Sequence, residues 1–265
     1  MIAQRFFNVS VALGLMGVAV LQPPSAYPAE LVEIEQRGQL IVAVKDNLRP
    51  LGFRDATGSL QGLEIDIARR LAKELLGSPE AVVLQPVTNR DRLSVVFDDQ
   101  VDIAIARVTV TDSRARLVDF SIPYYLDGAG IITKDASINL LSDLDNQTIA
   151  VLKGSSTIPV IKYALPNAQL VGVDSYQEAL FLLEAGDANA FAADQTVLTG
   201  WVQQYPEYRL LPYRLSGAAL AVVMPKGLQY TELRQQVNQA IERWHAEGWL
   251  AERVAAWGLP STTAH

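Results

Sequence analysis

Cysteine is absent from all 265 residues. That excludes disulfides, thiolate metal sites and a cysteine nucleophile. It also excludes anchoring through a lipidated N-terminal cysteine. Histidine is nearly absent: His245 and His265 lie close to the C-terminus, and two such residues cannot build a histidine metal cluster, so no metal or other cofactor is expected. Positive charge is in the minority, with 22 Lys and Arg against 29 Asp and Glu and a formal net charge of -7. No long basic run occurs, so nucleic acid is not an expected partner. An apolar run long enough for a comfortable membrane span, about 20 residues, is lacking too. The nearest is Val9 to Leu21, preceded by Arg5 and followed by "QPPSAYPAE". A charged n-region, an apolar h-region and a small-residue region make a secretory signal. Residues 1–29 are therefore expected to be a signal peptide, cut near Ala29 although Tyr27 sits where a small residue is preferred. Retention of the segment as an anchor is the alternative.

What remains is 49% hydrophobic, enough for a substantial core in one or two domains. Strand and helix patterns alternate along it. "LIVAVK" from Leu40 is a buried strand, and "DNLRPLGFRDATGSLQG" reads as a loop punctuated by Pro50, Gly52, Gly58 and Gly62. Ile67, Leu71 and Leu75 recur four apart before Gly77, the pattern of an amphipathic helix with a glycine stop. "AVVLQPV" and "VDIAIARVTV" are two more strands, separated by a helical segment at Leu93, Val96 and Phe97, and the second runs on to a Pro-Tyr-Tyr turn at Pro123 to Tyr125. A second series follows "AGIITK": the strands "TIAVLK", "AQLVGV" and "ANAFAAD", with helices opening at Ser155, Ser175 and Gln195. Ser175 with Glu178 three later forms a capping box. "ALAVVMPKG" is the last clear strand, and the chain closes on a helical face of Leu233, Val237, Ile241 and Trp244. Repeated strand–helix–strand order predicts an α/β protein with mostly parallel sheets covered by helices on both faces. No close internal sequence repeat accompanies it.

"LIVAVKDNLRPLGFRDATGSLQGLEIDIARRLAKEL", "VDIAIARVTVTDSRARLVDFSIPYY", "TIAVLKGSS", "SYQEALFLLEAGDANAFAAD" and "EGWLAERVAAWG", in this order and spacing, resemble the extracytoplasmic solute-binding proteins of polar amino-acid ABC transporters. The resemblance covers roughly Leu40 to Gly258. It implies a type II periplasmic-binding-protein fold, with two α/β lobes joined by two hinge crossovers. Lobe one would take residues 30–130 and 225–265. Lobe two, with the crossovers near "GIIT" and "AVVM", would take 131–224. It further implies a monomer in the periplasm that binds a free amino acid and presents it to the permease subunits of an ABC transporter.

By this resemblance, Arg114 and Thr109 would hold an α-carboxylate and the neighbouring ammonium. Arg114 suits the role because its planar fork of donors matches a carboxylate. Ser155 and Ser156, between a strand and a helix in "KGSST", would offer backbone N–H groups to the same carboxylate from lobe two. Asp194, at the end of "ANAFAA", would take the α-ammonium, or would simply cap the helix at Gln195. Arg116, Asp119 and the four tryptophans read as surface, turn or core residues.

Two positions depart from the family pattern. The loop after the first strand carries Leu48 and Leu51 where members often have an aromatic. Arg107 stands where glycine is common. Either Arg107 reaches into the side-chain pocket and favours an acidic ligand, or it points away while its carbonyl keeps the family role. Arg49 poses the same choice, and a basic residue in a dry cleft needs a carboxylate from ligand or from Asp46. Polar or acidic amino acids are the favoured ligands. An enzyme on this scaffold, similar to periplasmic dehydratases, would have only Asp46, Asp194 and Lys153 as acid or base. No nucleophile–base pair or phosphate loop is visible, so catalysis is not expected. A sensing protein that presents closed lobes to a receptor is the other alternative.

Overall fold

The computed structural model describes residues 30–261. The signal segment expected at 1–29, and His265, lie outside the described residues. Among the described residues no helix is long and apolar enough to cross a membrane.

Two five-stranded sheets organise the chain. The first runs in the order Val82–Pro86, Leu40–Val44, Ile103–Ile105, Ala218–Met224, Asp119–Asp127. The second runs Gln169–Val173, Thr148–Leu152, Ala190–Asp194, Ala129–Thr133, Arg209–Leu210. In each sheet four strands run one way and one, Ala218–Met224 or Ala129–Thr133, runs against them. The mostly parallel sheets thus each carry one reversed strand, because each lobe receives one strand from a crossover that arrives from the other lobe. Two apolar clusters line the two faces of each sheet, as covering helices require.

Local physics accounts for most elements. The helix Leu63–Leu76 buries Leu63, Ile67 and Leu71 against the first sheet and stops at Gly77, whose φ is 81°. The helix Tyr176–Ala185 starts as expected. Ser175 Oγ accepts the Glu178 N–H at 3.1 Å, and the Glu178 carboxylate accepts the Asp174 N–H at 2.7 Å. Leu233, Val237, Ile241 and Trp244, on the helix Thr231–Ala246, are all fully buried.

Three expectations are corrected. The presumed loop after Leu40–Val44 contains a small antiparallel sheet of Asn47–Leu48, Gly52–Arg54 and Leu60–Gln61. The Pro-Tyr-Tyr segment is not a turn but the middle of the strand Asp119–Asp127. That strand is outermost in its sheet, where Pro123 disrupts little hydrogen bonding. The last strand, Ala218–Met224, was assigned with lobe two at 131–224. It pairs with Asp119–Asp127 in the first sheet, so the return crossover lies before Ala218. The outgoing crossover lies at Gly128, between Asp119–Asp127 and Ala129–Thr133. The two crossovers touch there: a Cβ on Gly128 would stand 1.9 Å from the Ser216 carbonyl oxygen. Only glycine permits that approach.

Candidate functional site

The carboxyl ends of the parallel strands in both lobes face one another, the usual place for a ligand in an open α/β sheet. Between them is a cleft of about 460 Å³, lined from lobe one by Lys45, Asp46, Leu48 and Arg107 and from lobe two by Tyr176 and Val197. A second hollow beside it, about 320 Å³, is lined by Leu48 and Arg49 from lobe one and by Tyr176 and Trp201 from lobe two. The lobes meet at its floor, where a Cβ on Gly200 would lie 2.2 Å from the Arg49 carbonyl oxygen.

Arg107 is the centre of the cleft. Its backbone φ is +51°, a left-handed conformation that disfavours any side chain and suits glycine. This is the physical sense of the glycine common at this position. Here the conformation is held from both sides. The Arg107 N–H donates to Glu64 Oε1 at 2.7 Å, and the Arg107 carbonyl accepts from the Arg92 guanidinium. The side chain crosses to lobe two, where its Nη2 pairs with Asp194 and its Nε donates to Thr196 Oγ1 at 3.2 Å. Asp127, 1% exposed at the outgoing crossover, stands 3.7 Å from Nη2. Thus Arg107 neither points to solvent nor leaves its carbonyl open.

Asp194 is placed at the end of Ala190–Asp194, and its side chain does not cap the helix Gln195–Gln204. Its carboxylate pairs instead with Arg107, which lines the cleft. Arg114 lies in the short helix Asp112–Ala115, capped by Thr111. Its Nη1 donates to the Thr109 carbonyl at 2.8 Å. Among the described residues its Nε and Nη2 make no hydrogen bond, so these donors remain for an anion. Thr109, half-buried, bridges to Leu220 in the backbone.

The other expected residues divide. Asp46 lines the cleft, and its carboxylate also accepts from Arg54 Nε at 3.3 Å. Arg49 lines the adjoining hollow while its guanidinium stacks 3.7 Å from the centre of the Phe53 ring. Ser155 Oγ accepts the Thr157 N–H at 3.1 Å, and Ser156 precedes the helix Thr157–Ala164 without a side-chain cap. Both keep to lobe two. Lys153 is carried away from the cleft to an exposed pair with Asp174 at 2.8 Å. Arg116 is exposed, Asp119 pairs with Arg234, and Tyr124 and Tyr125 are core residues.

Sequence reasoning missed Arg92, Lys45, Glu64 and Tyr176. Burial and the neighbouring charges of Arg114 and Arg107 lower the Arg92 pKa to about 10. Burial and Arg92 likewise lower that of Lys45, whose Nζ donates to the Val87 carbonyl at 2.8 Å. Arg92 and Tyr176 follow the carboxyl ends of Val82–Pro86 and Gln169–Val173, and Lys45 follows that of Leu40–Val44. Strand-end position was the available signal. Tyr176 provides the aromatic wall expected on lobe one, since Leu51 is fully buried in the core and only Leu48 faces the cleft.

Glu64 is fully buried, and Tyr124 Oη donates to it at 2.6 Å. Desolvation raises its pKa from 4.5 despite that bond and the nearby Arg107. The native state therefore binds this proton more tightly than the unfolded chain. Its stabilisation is full below about pH 4.5 and is lost as pH rises through the native value. Glu64→Gln keeps the acceptor for Tyr124 and Arg107 and removes the charge. Thermal melts should show the wild type losing more stability than the variant between pH 4.5 and 7.5. Parallel melting curves across that range would contradict this assignment.

The family model for bacterial extracellular solute-binding proteins, family 3, matches residues 40–260. The chain belongs to that family. It is 35% identical over 190 residues to the glutamine-binding protein of Geobacillus stearothermophilus, covering 71% of this chain and 72% of the relative. It is 26% identical over 226 residues to a glutamate-binding protein of Corynebacterium glutamicum, covering 80% and 76%. Among solved structures, an ancestral cationic amino-acid solute-binding protein superposes with a TM-score of 0.73 at 28% identity, covering 86% of this chain and 99% of that one. The two-lobed fold expected from the sequence is thereby shown.

Proposed function

We propose that this chain captures one free L-amino acid, polar or acidic, between its lobes outside the cytoplasm and presents it unchanged to the permease of an ABC transporter. The observation that carries this is charge of both signs beside the cleft: the donors of Arg114, which shares the neighbourhood of Arg92 with Arg107, on lobe one, and the carboxylate of Asp194, paired with the cleft-lining Arg107, on lobe two. A zwitterion needs one of each. Arg114 takes the α-carboxylate with Thr109 beside it, Asp194 takes the α-ammonium, and Ser155 and Ser156 close on the carboxylate from lobe two.

Closure follows from this division of labour. Either lobe alone satisfies only half of the zwitterion, so the ligand binds best when both are engaged. The two crossovers at Gly128 and before Ala218 permit bending while keeping the lobes aligned. A permease reads the closed shape. The relatives named for glutamine and glutamate support the ligand class. The signal segment expected from the sequence at 1–29 supports a periplasmic location, where we take the chain to act as a monomer. Among the described residues the cleft offers cations and carboxylates suited to holding a zwitterion, which favours carriage.

The test is direct. Protein purified from the producing cell is denatured, and the released small molecules are weighed by mass spectrometry. One amino acid per chain is expected, and calorimetry with that compound should give a one-site isotherm. A chain that releases none, and gives no heat with any of the twenty amino acids after unfolding and refolding, would overturn the proposal.

A further inference from the structure

The cation site of the cleft is already filled by the protein itself. Arg107, on lobe one, occupies the carboxylate of Asp194, on lobe two. The pair is partly withdrawn from water, with side-chain exposures of 20% and 32%. The aim of Arg107 is not accidental. Its left-handed backbone is unfavourable for a residue with a side chain, and the bonds to Glu64 and from Arg92 hold it there. Thr196 holds the guanidinium at its far end. Thr196 is in turn fixed by Asp127, which accepts its hydroxyl at 2.6 Å and its N–H at 3.1 Å.

On the zwitterion reading just given, the ammonium of an incoming amino acid and the guanidinium of Arg107 compete for one carboxylate. We infer that the ligand evicts Arg107 from Asp194, and that a side-chain carboxylate on the ligand receives the displaced guanidinium, so that acidic amino acids are the ligand class. Arg107 is then the specificity-determining residue.

Charge balance decides the class. Before binding, Arg107 is paired with Asp194, and burial together with the nearby charges of Arg114 and Arg107 lowers the Arg92 pKa. After eviction by glutamate or aspartate, three pairs stand: ammonium with Asp194, α-carboxylate with Arg114, side-chain carboxylate with Arg107. The charge of Arg107 stays neutralised. With glutamine the same eviction leaves the Arg107 guanidinium with only the buried Asp127, which already accepts two bonds from Thr196, in a partly desolvated cleft crowded with Arg92 and Arg114, which is costly. A basic ligand adds a further positive charge to that cluster. The pair also ties the two lobes together without ligand, alongside the contact of Gly200 with Arg49.

Arg107→Gly is the informative variant, because glycine adopts the left-handed conformation without strain and the backbone bonds to Glu64 and Arg92 survive. Wild type and variant are titrated calorimetrically with glutamate, aspartate and glutamine. Loss of Arg107 removes the acceptor of the side-chain carboxylate and also the competitor for Asp194. Opposite shifts are therefore expected: glutamate and aspartate weaken at least tenfold, on the order expected for a desolvated charge pair. Glutamine tightens by roughly threefold or more, since about 0.7 kcal/mol of eviction cost already gives that factor. Small-angle scattering of the empty proteins adds a second readout, with the variant expected to have the larger radius of gyration.

If glutamate and glutamine move in the same direction, or the rank order is unchanged, Arg107 does not select the ligand. If the empty variant scatters like the empty wild type, Arg107 does not tie the lobes. A wild type that binds no amino acid would instead sink the functional proposal itself, so the two failures are distinguishable.

Discussion

Arg114→Ala should weaken every amino-acid ligand, acidic or neutral, by roughly 30- to 5000-fold. The factor corresponds to the 2–5 kcal/mol lost when one partner of a buried, hydrogen-bonded charge pair is truncated. The reason for uniformity is chemical. The α-carboxylate is common to all amino acids, and Arg114 has donors left over after its bond to the Thr109 carbonyl at 2.8 Å. The fold should survive, because Arg114 sits on the short helix Asp112–Ala115, which contributes no residue to the buried core. Lysine should not rescue the loss, since an ammonium cannot present a planar fork. Calorimetric titration against glutamate, glutamine and a small neutral amino acid checks the claim. Normal affinity in a folded Arg114→Ala protein would end the zwitterion reading. A loss confined to one ligand would make Arg114 a side-chain selector instead.

Trp244→Ala should produce the largest loss of stability without touching the cleft. Trp244 is fully buried on the helix Thr231–Ala246. Its indole N–H donates to Glu74 Oε1 at 2.9 Å, and its ring meets that of Trp249 with centroids 5.2 Å apart. Truncation removes the ring, leaves a cavity and strips Glu74 of a donor. The cost is about 3–5 kcal/mol, which for a chain of this size lowers the melting temperature by roughly 6–20 °C. Affinity measured well below the transition should be unchanged, because the cleft lies at the strand ends and Trp244 behind the first sheet. A melting temperature within a degree or two of wild type would show that the site repacks. A parallel fall in affinity would show that the helix supports the cleft.

The family-wide elements were legible because their causes are local. Ser175 and Glu178 announce a helix start through bonds three residues apart. Ile67, Leu71 and Leu75 announce a helical face through spacing alone, and Ile67 and Leu71 are buried. The alternation of apolar strands and amphipathic helices announces an α/β lobe. Failures occurred where partners are distant. Pro123 looked like a turn because its strand is defined by pairing with Ala221, far along the chain. Ala218–Met224 fell into the wrong lobe for the same reason.

The site shows the same division more sharply. The sequence by itself determined the exclusion of thiol and histidine chemistry and the alternation of strands and helices, which follow from composition and periodicity. The two-lobed plan and the choice of Arg114 and Asp194 followed from the family resemblance of motifs in their order along the chain. Only the tertiary structure decided that Arg107 spends its charge on Asp194, that Lys153 turns away to Asp174, that Arg92 holds the Arg107 carbonyl and that Tyr176 lines the cleft. A guanidinium pairs with whatever carboxylate the fold brings within reach. Arg107 and Asp194 stand 87 positions apart, and no local pattern encodes the closure of two lobes that makes them neighbours.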